Sequence, residues 1–95
     1  MTLPVAVLGA GSFGTCLAML CGANNEVTLW ARDPEVAEAI NRDHRNPRYL
    51  KDAEIPASVR ATPDLAEALA GSELVLLTLP SPVVREVVEK ARGIL

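Results

Sequence analysis

The stretch that most constrains this chain is Pro4-Val5-Ala6-Val7-Leu8-Gly9-Ala10-Gly11-Ser12-Phe13-Gly14. An apolar run of strand length leads straight into three glycines spaced G-x-G-x-x-G, and helical periodicity follows. Each glycine has its own reason. Gly9 permits a tight turn out of the strand, Gly11 lacks the Cβ that would keep a phosphate off the backbone, and Gly14 lets the incoming helix pack closely on the strand. The helix N-terminus presents N–H groups and the positive end of its dipole to an anion, so the pattern suits a dinucleotide pyrophosphate. Spacing alone is a weak signal, and the rest of the chain must supply the strand, helix and second strand that give it meaning.

That context is present. Residues 12–23 place Phe13, Leu17, Leu20 and Cys21 at intervals of three and four, which predicts a helix with those residues on its buried face. Phe13 is expected to fill the space between this helix and the sheet, or to serve the phosphates through its backbone. A second strand, residues 26–31, is β-branched and aromatic and ends at Arg32-Asp33-Pro34. There Asp33 reads as a helix N-cap and Pro34 as the first helical residue, with Val36, Ala37 and Ile40 turned inward. Residues 43–58 show no period and contain two prolines, a loop long enough to suggest function. A short strand 59–61 follows, then a helix capped by Thr62 with Leu65, Ala66 and Leu69 inward and Gly71 at its end. The most hydrophobic segment, 73–79, is the fourth strand. Pro80-Ser81-Pro82 stops it, and Ser81 caps a last helix with the stripe Val83, Val84, Val87 and Val88.

Strands alternating with helices predict an α/β fold: a Rossmann-like three-layer α/β/α arrangement with a parallel sheet, strand order 3-2-1-4, truncated relative to a full sheet of this kind. The switch point then falls between the first and fourth strands, so Gly9–Gly14 and Leu79–Pro82 emerge side by side where this fold binds ligands. The fourth strand is left at an edge, which predicts self-association.

Composition narrows the partners. Of 95 residues 49% are apolar and only 3% aromatic, so the core must be built from Val, Leu, Ile and Ala, as suits buried parallel strands. A net charge of −3 with scattered cations argues against nucleic acid. Arg42, Arg45, Arg48 and Lys51 alternate with Asp43 and Asp52 and read as a solvated face. Cys16 and Cys21 read as buried free thiols, and with no signal peptide or membrane-length apolar run they point to the cytoplasm. His44 reads as a surface residue remote from any nicotinamide. Two Cys and one His cannot make a metal site, and no catalytic constellation is present.

Cofactor choice rests on the end of the second strand, where an NAD-preferring domain usually carries an acid for the ribose 2′-hydroxyl. Here Arg32 stands eighteen residues beyond Gly14. A guanidinium cannot accept from a hydroxyl but can hold a 2′-phosphate and stack on adenine, which favours NADP(H). NAD(H) is the alternative if Asp33 leaves its cap to bind the hydroxyl. Tyr49, alone in the long loop, is placed either to cover the adenine or to anchor the loop.

Four segments appear in order: Gly-Ala-Gly-Ser-Phe-Gly-Thr (9–15), Val-Thr-Leu-Trp-Ala-Arg (27–32), Asn-Pro-Arg-Tyr-Leu (46–50) and Leu-Leu-Thr-Leu-Pro-Ser (76–81). Together they resemble the N-terminal part of bacterial NAD(P)-dependent glycerol-3-phosphate dehydrogenase. The Asn46–Leu50 segment discriminates, since generic nucleotide-binding domains lack it. The resemblance implies a cytoplasmic enzyme that reduces dihydroxyacetone phosphate to sn-glycerol 3-phosphate for glycerophospholipid synthesis. It implies cofactor contacts by Gly9, Ala10, Gly11, Ser12, Phe13, Gly14 and Arg32, with Tyr49, Pro80 and Ser81 close by. Phe13 stands where tryptophan is common in the family, and Lys51 where proline is frequent. In the family a first conserved lysine would follow shortly after Leu95, and a second catalytic lysine and the phosphate-binding residues would lie in a helical C-terminal domain, so residues 1–95 are expected to bind cofactor without turnover. The alternatives are another hydride-transfer enzyme, such as a ketopantoate reductase or 3-hydroxyacyl dehydrogenase, or a non-catalytic nucleotide-binding module.

Overall fold

The computed structural model describes residues 3–48, 52–79 and 81–93. Four strands, β1 (Pro4–Leu8), β2 (Glu26–Trp30), β3 (Val59–Thr62) and β4 (Leu74–Leu77), alternate with four helices, α1 (Ser12–Gly22), α2 (Pro34–Asp43), α3 (Leu65–Leu69) and α4 (Ser81–Arg92). The strands form one parallel sheet in the order β3-β2-β1-β4, as the alternation predicts.

Register explains the two cores. Val5 pairs with Val27 and Val7 with Leu29, while Leu29 pairs with Ala61. Side chains alternate across a strand, so these residues share one face and pack with Ala18 of α1 and Val36, Ala37 and Ile40 of α2. Ala6, Leu8 and Trp30 point to the other face, against Leu65, Ala68 and Leu69 of α3 and Val87 and Ala91 of α4. Trp30 keeps its indole N–H satisfied by donating to the Pro63 carbonyl at 3.0 Å. β1, in the middle, is buried on both faces, whereas Leu74, Val75 and Leu77 of the edge strand β4 remain exposed.

The buried face of α1 differs from the expected one. Phe13 and Leu20 are 70% and 74% exposed, and the inward face is Gly14, Thr15, Ala18 and Gly22. Burying a Phe or Leu is worth about 1.5–3 kcal/mol, so the small face must answer a stronger demand. That demand is proximity. A Cβ on Gly14 would stand 1.8 Å from the Gly9 carbonyl oxygen, and one on Gly22 would stand 2.7 Å from Val59 Cγ2. A bulky face would lift the helix off the sheet and away from the turn. Phe13 therefore does not fill the space beneath α1. Cys16 is exposed rather than buried, while Cys21 is half-buried; both are free thiols.

Other helix ends also shift. Asp33 caps α2 as expected, its carboxylate accepting from Glu35 N–H, with Pro34 in the first turn. α3 is capped by Asp64, not Thr62; Thr62 closes β3, and its buried hydroxyl accepts from Asp64 N–H. Ala68, not Ala66, joins Leu65 and Leu69 inside. On α4 the stripe runs through Val87 to Ala91, and Val88 is exposed. Ser81 is the first residue of α4 rather than a residue ahead of it. His44 ends α2 in the left-handed conformation at φ 57° and is half-buried, not a surface residue. Its carbonyl accepts from Ile55 N–H at 2.7 Å, which ties the long loop back to the helix.

Candidate dinucleotide site

The end of β1 turns at Gly9, whose φ of +123° is open only to glycine. Gly9 N–H donates to the Trp30 carbonyl at 3.1 Å, so the turn begins as a continuation of the ladder. From the other side, Thr78 Oγ1 lies 3.0 Å from the Leu8 carbonyl and 2.9 Å from that of Gly9. Thr78 N–H also donates to Leu8 at 3.0 Å, extending the pairing past β4. One polar residue at the end of an apolar run thus holds the turn; the sequence reading gave it no role, and its break in the run was the available sign.

Gly11 caps α1, and Thr15 N–H donates back to its carbonyl at 2.9 Å. The N–H groups of the helix's first turn, those of Phe13 and Gly14 among them, have no carbonyl four residues earlier within the helix. Nothing lies within 4 Å of the position a Cβ would take on Gly11. Gly9 and Gly14 are therefore required by the protein's own packing, while Gly11 leaves room for something that is not protein.

These elements open onto a cleft of about 410 Å³ lined by Gly9, Ala10, Gly11, Ala31, Arg32, Asp33, Val36, Arg48, Thr78, Leu79 and Val83. It lies at the carboxyl edge of the sheet, at the expected switch point. Of the expected site residues, Gly9, Ala10, Gly11 and Arg32 line it. Ser12, Phe13 and Gly14 form the first turn of α1, with Gly14 buried beneath Gly9 and Phe13 pointing to solvent. Tyr49 and Pro80 lie outside the described residues, as does the side chain of Ser81.

Of two further residues in the long loop, one lines the cleft and the other anchors the loop beneath it. Arg48, expected on a solvated face, stands at its wall and pairs through Nη1 with Asp33 Oδ2 at 3.1 Å. Asn46 is fully buried; its Nδ2 donates to the Ala10 carbonyl at 2.8 Å and to Thr15 Oγ1 at 2.9 Å, and its Oδ1 accepts from Arg48 N–H at 3.2 Å. The long loop is thus pinned to the glycine turn. Arg42, exposed like Arg48, also meets the expectation for this segment and is bound to Asp43 and Glu38. Its paired hydrogen bonds and charge hold the Asp43 carboxyl below the usual carboxylate range and push its own guanidinium up. Among the described residues no group of three His, Cys, Asp or Glu side chains could hold a metal, and no helix is long and apolar enough to cross a membrane.

A parallel sheet of this order, with a glycine turn and a helix N-terminus at its switch point, defines a Rossmann-type dinucleotide-binding domain. The sequence profile described as the NAD-dependent glycerol-3-phosphate dehydrogenase N-terminus matches residues 4–95. The chain belongs to that family, as an N-terminal part of it. It is 56% identical over 91 residues to the glycerol-3-phosphate dehydrogenase [NAD(P)+] of Myxococcus xanthus, a match that covers 95% of this chain and 27% of that protein. It is 52% identical over 88 residues to the enzyme of the same name from Alcanivorax borkumensis, covering 92% of this chain and 26% of that one. Among solved structures, glycerol-3-phosphate dehydrogenase from Coxiella burnetii superposes with a TM-score of 0.90 at 32% identity, over 99% of this chain and 29% of that chain. The chain therefore spans about a quarter of the length of these curated relatives.

Proposed function

We propose that this chain is the nicotinamide-dinucleotide seat of an sn-glycerol-3-phosphate dehydrogenase, with NADP(H) preferred over NAD(H). The observation that carries this reading is that the glycine turn and Arg32 open onto one cleft, and that the space a Cβ would take at Gly11 is clear. Gly9, Ala10, Gly11, Ser12, Phe13 and Gly14 would receive the pyrophosphate on the turn and first helical turn, and Arg32 the 2′-phosphate. Arg32 has no hydrogen bond or ion pair to any described residue, and both Asp33 oxygens already hold donors. That disposition suits a phosphate better than a hydroxyl. Tyr49, Pro80 and Ser81 belong to the same proposed contact set.

When bound, a reduced nicotinamide dinucleotide would supply the hydride for the carbonyl carbon of dihydroxyacetone phosphate, whose oxygen would take a proton to give glycerol 3-phosphate. What this chain contributes is the position of the cofactor. A cytoplasmic location and a role in glycerophospholipid synthesis are part of the same proposal. The test is titration of the purified protein with NADPH and NADH, repeated with Arg32→Ala. NADPH should bind more tightly, and the substitution should remove most of that advantage; equal affinities in the unsubstituted protein would refute the NADP(H) preference.

We further propose that the bare edge of β4, with Leu74, Val75 and Leu77 exposed, favours pairing with a second copy of this 95-residue chain. Sedimentation of the chain should show association that rises with concentration. A monomer throughout would refute it.

A further inference from the structure

We infer that Arg48 is a second specificity-determining residue for the 2′-phosphate, delivered to the cleft by the buried amide of Asn46. This rests on the dinucleotide reading above and deepens it.

The argument begins with a charge conflict. Arg32 and Asp33 are adjacent at the end of β2, and both line the cleft. Their charges sum to zero, and an acid beside Arg32 would repel a doubly charged phosphate. Arg48 removes the conflict. Its Nη1 lies 3.1 Å from Asp33 Oδ2, while Asp33 Oδ1 is occupied by Glu35 N–H at 2.9 Å. With Arg48 the wall carries two guanidinium groups around one carboxylate and a net charge of +1. A guanidinium has five N–H donors, and the contact with Asp33 uses the Nη1 end, so Arg48 can hold Asp33 and still meet a phosphate. As a stability device the pair is poorly placed: both side chains are partly exposed, where an ion pair contributes little. Its position in the cleft wall gives it a better use.

The position of Arg48 is built, not incidental. Asn46, fully buried, accepts from the Arg48 N–H and donates to the Ala10 carbonyl within the glycine turn. One side chain thereby fixes the backbone of Arg48 relative to the glycine turn, and the contact with Asp33 brings its guanidinium to the cleft wall. A loop residue with an unanchored backbone would lose that register.

The test separates the 2′-phosphate from the rest of the ligand. Adenosine 2′,5′-bisphosphate and AMP, which differ only in the 2′-phosphate, are titrated calorimetrically at low ionic strength into the unsubstituted protein, Arg48→Ala and Arg32→Ala, with folding checked by circular dichroism. Loss of a charge-assisted pair predicts that Arg48→Ala weakens the 2′,5′-bisphosphate by about tenfold and leaves AMP within about twofold. Arg48→Lys, which keeps the charge but not the fork, should recover part of the loss. If Arg48→Ala weakens both ligands equally, or neither, Arg48 has no specificity role. If that happens while Arg32→Ala still abolishes the preference, the NADP(H) reading stands and this inference alone falls. If the unsubstituted protein shows no preference between the two ligands, both fall.

Discussion

The glycine turn at residues 9–14 and the loop from His44 to Arg48 shape the same cleft but are held by opposite means. The turn is held by what is missing: Gly9 and Gly14 approach so closely that a Cβ on Gly14 would sit 1.8 Å from the Gly9 oxygen. The loop is held by what is present, above all a buried amide that bridges 36 residues of sequence to reach Ala10. A contact between backbones leaves no tolerance, because neither side can rotate away. A contact through a side chain can be loosened in steps, which lets the two kinds of restraint be told apart by substitution.

The largest effect is expected at Gly14. Gly14→Ala must push α1 off the turn, against backbone at 1.8 Å and Thr78 Oγ1 at 2.5 Å. Overpacking of this severity should cost about 3 kcal/mol, read as a lower urea midpoint, with dinucleotide binding lost alongside. A loss below about 1 kcal/mol would show that helix and turn can separate cheaply, and the contrast with the loop would fail.

Asn46→Ala comes next. It strips a donor from the Ala10 carbonyl and from Thr15 Oγ1 in a site closed to solvent. Leaving buried acceptors unmatched should cost about 2 kcal/mol, again measured by urea unfolding. Asn46→Asp keeps the shape but sets oxygen against the Ala10 oxygen, so at neutral pH it should be no better than alanine. If either variant is as stable as the unsubstituted protein, the loop is anchored elsewhere.

Gly11 divides the turn itself. Its φ of −76° is ordinary for any residue, and nothing lies within 4 Å of a Cβ there. The entropy gained in replacing glycine and the poorer N-cap offered by alanine nearly cancel, so Gly11→Ala should change stability by less than about 0.5 kcal/mol. Dinucleotide affinity should nonetheless fall steeply, because the methyl would occupy the space proposed for the pyrophosphate. Unchanged NADPH affinity by titration would mean that the phosphates lie elsewhere.

The same contrast explains what could be read from the sequence. Strands, their order and the three glycines were legible because β-branched runs and required absences leave marks at fixed spacing. The inward face of α1 was not, since periodicity counts apolar residues, and close approach selected Gly14, Ala18 and Gly22 over Phe13 and Leu20. Thr62 looked like a cap because Pro63 follows it, yet the strand ran on to Thr62 and the cap passed to Asp64. Asn46 belonged to the segment that pointed to the family, but nothing local marks an Asn for burial beneath a turn 36 residues away. Arg48 is exposed, as its alternating charges predict, but that pattern does not mark which residue of a solvated face also borders a cleft.

The smallest effect tests the outer edge of the loop, where α2 ends. Arg42 Nε and Nη2 donate to the two Asp43 oxygens at 3.1 and 3.0 Å, and both side chains are exposed. The hydrogen bonds from Arg42, helped by its charge, hold the Asp43 carboxyl below its ordinary value of 3.8 against a desolvation that would raise it. A carboxyl lowered in the folded state favours folding above its unfolded pKa, and that contribution disappears as pH falls through the lowered folded value. Asp43→Asn should therefore be slightly less stable than the unsubstituted protein at neutral pH and indistinguishable from it in strong acid. Added salt should shrink the neutral-pH difference. Melting temperatures of the two proteins across that range decide it. A gap that widened on acidification would mean that Asp43 acts through its protonated form. A gap as large as that of Asn46→Ala would erase the distinction between a solvated pair and a buried anchor.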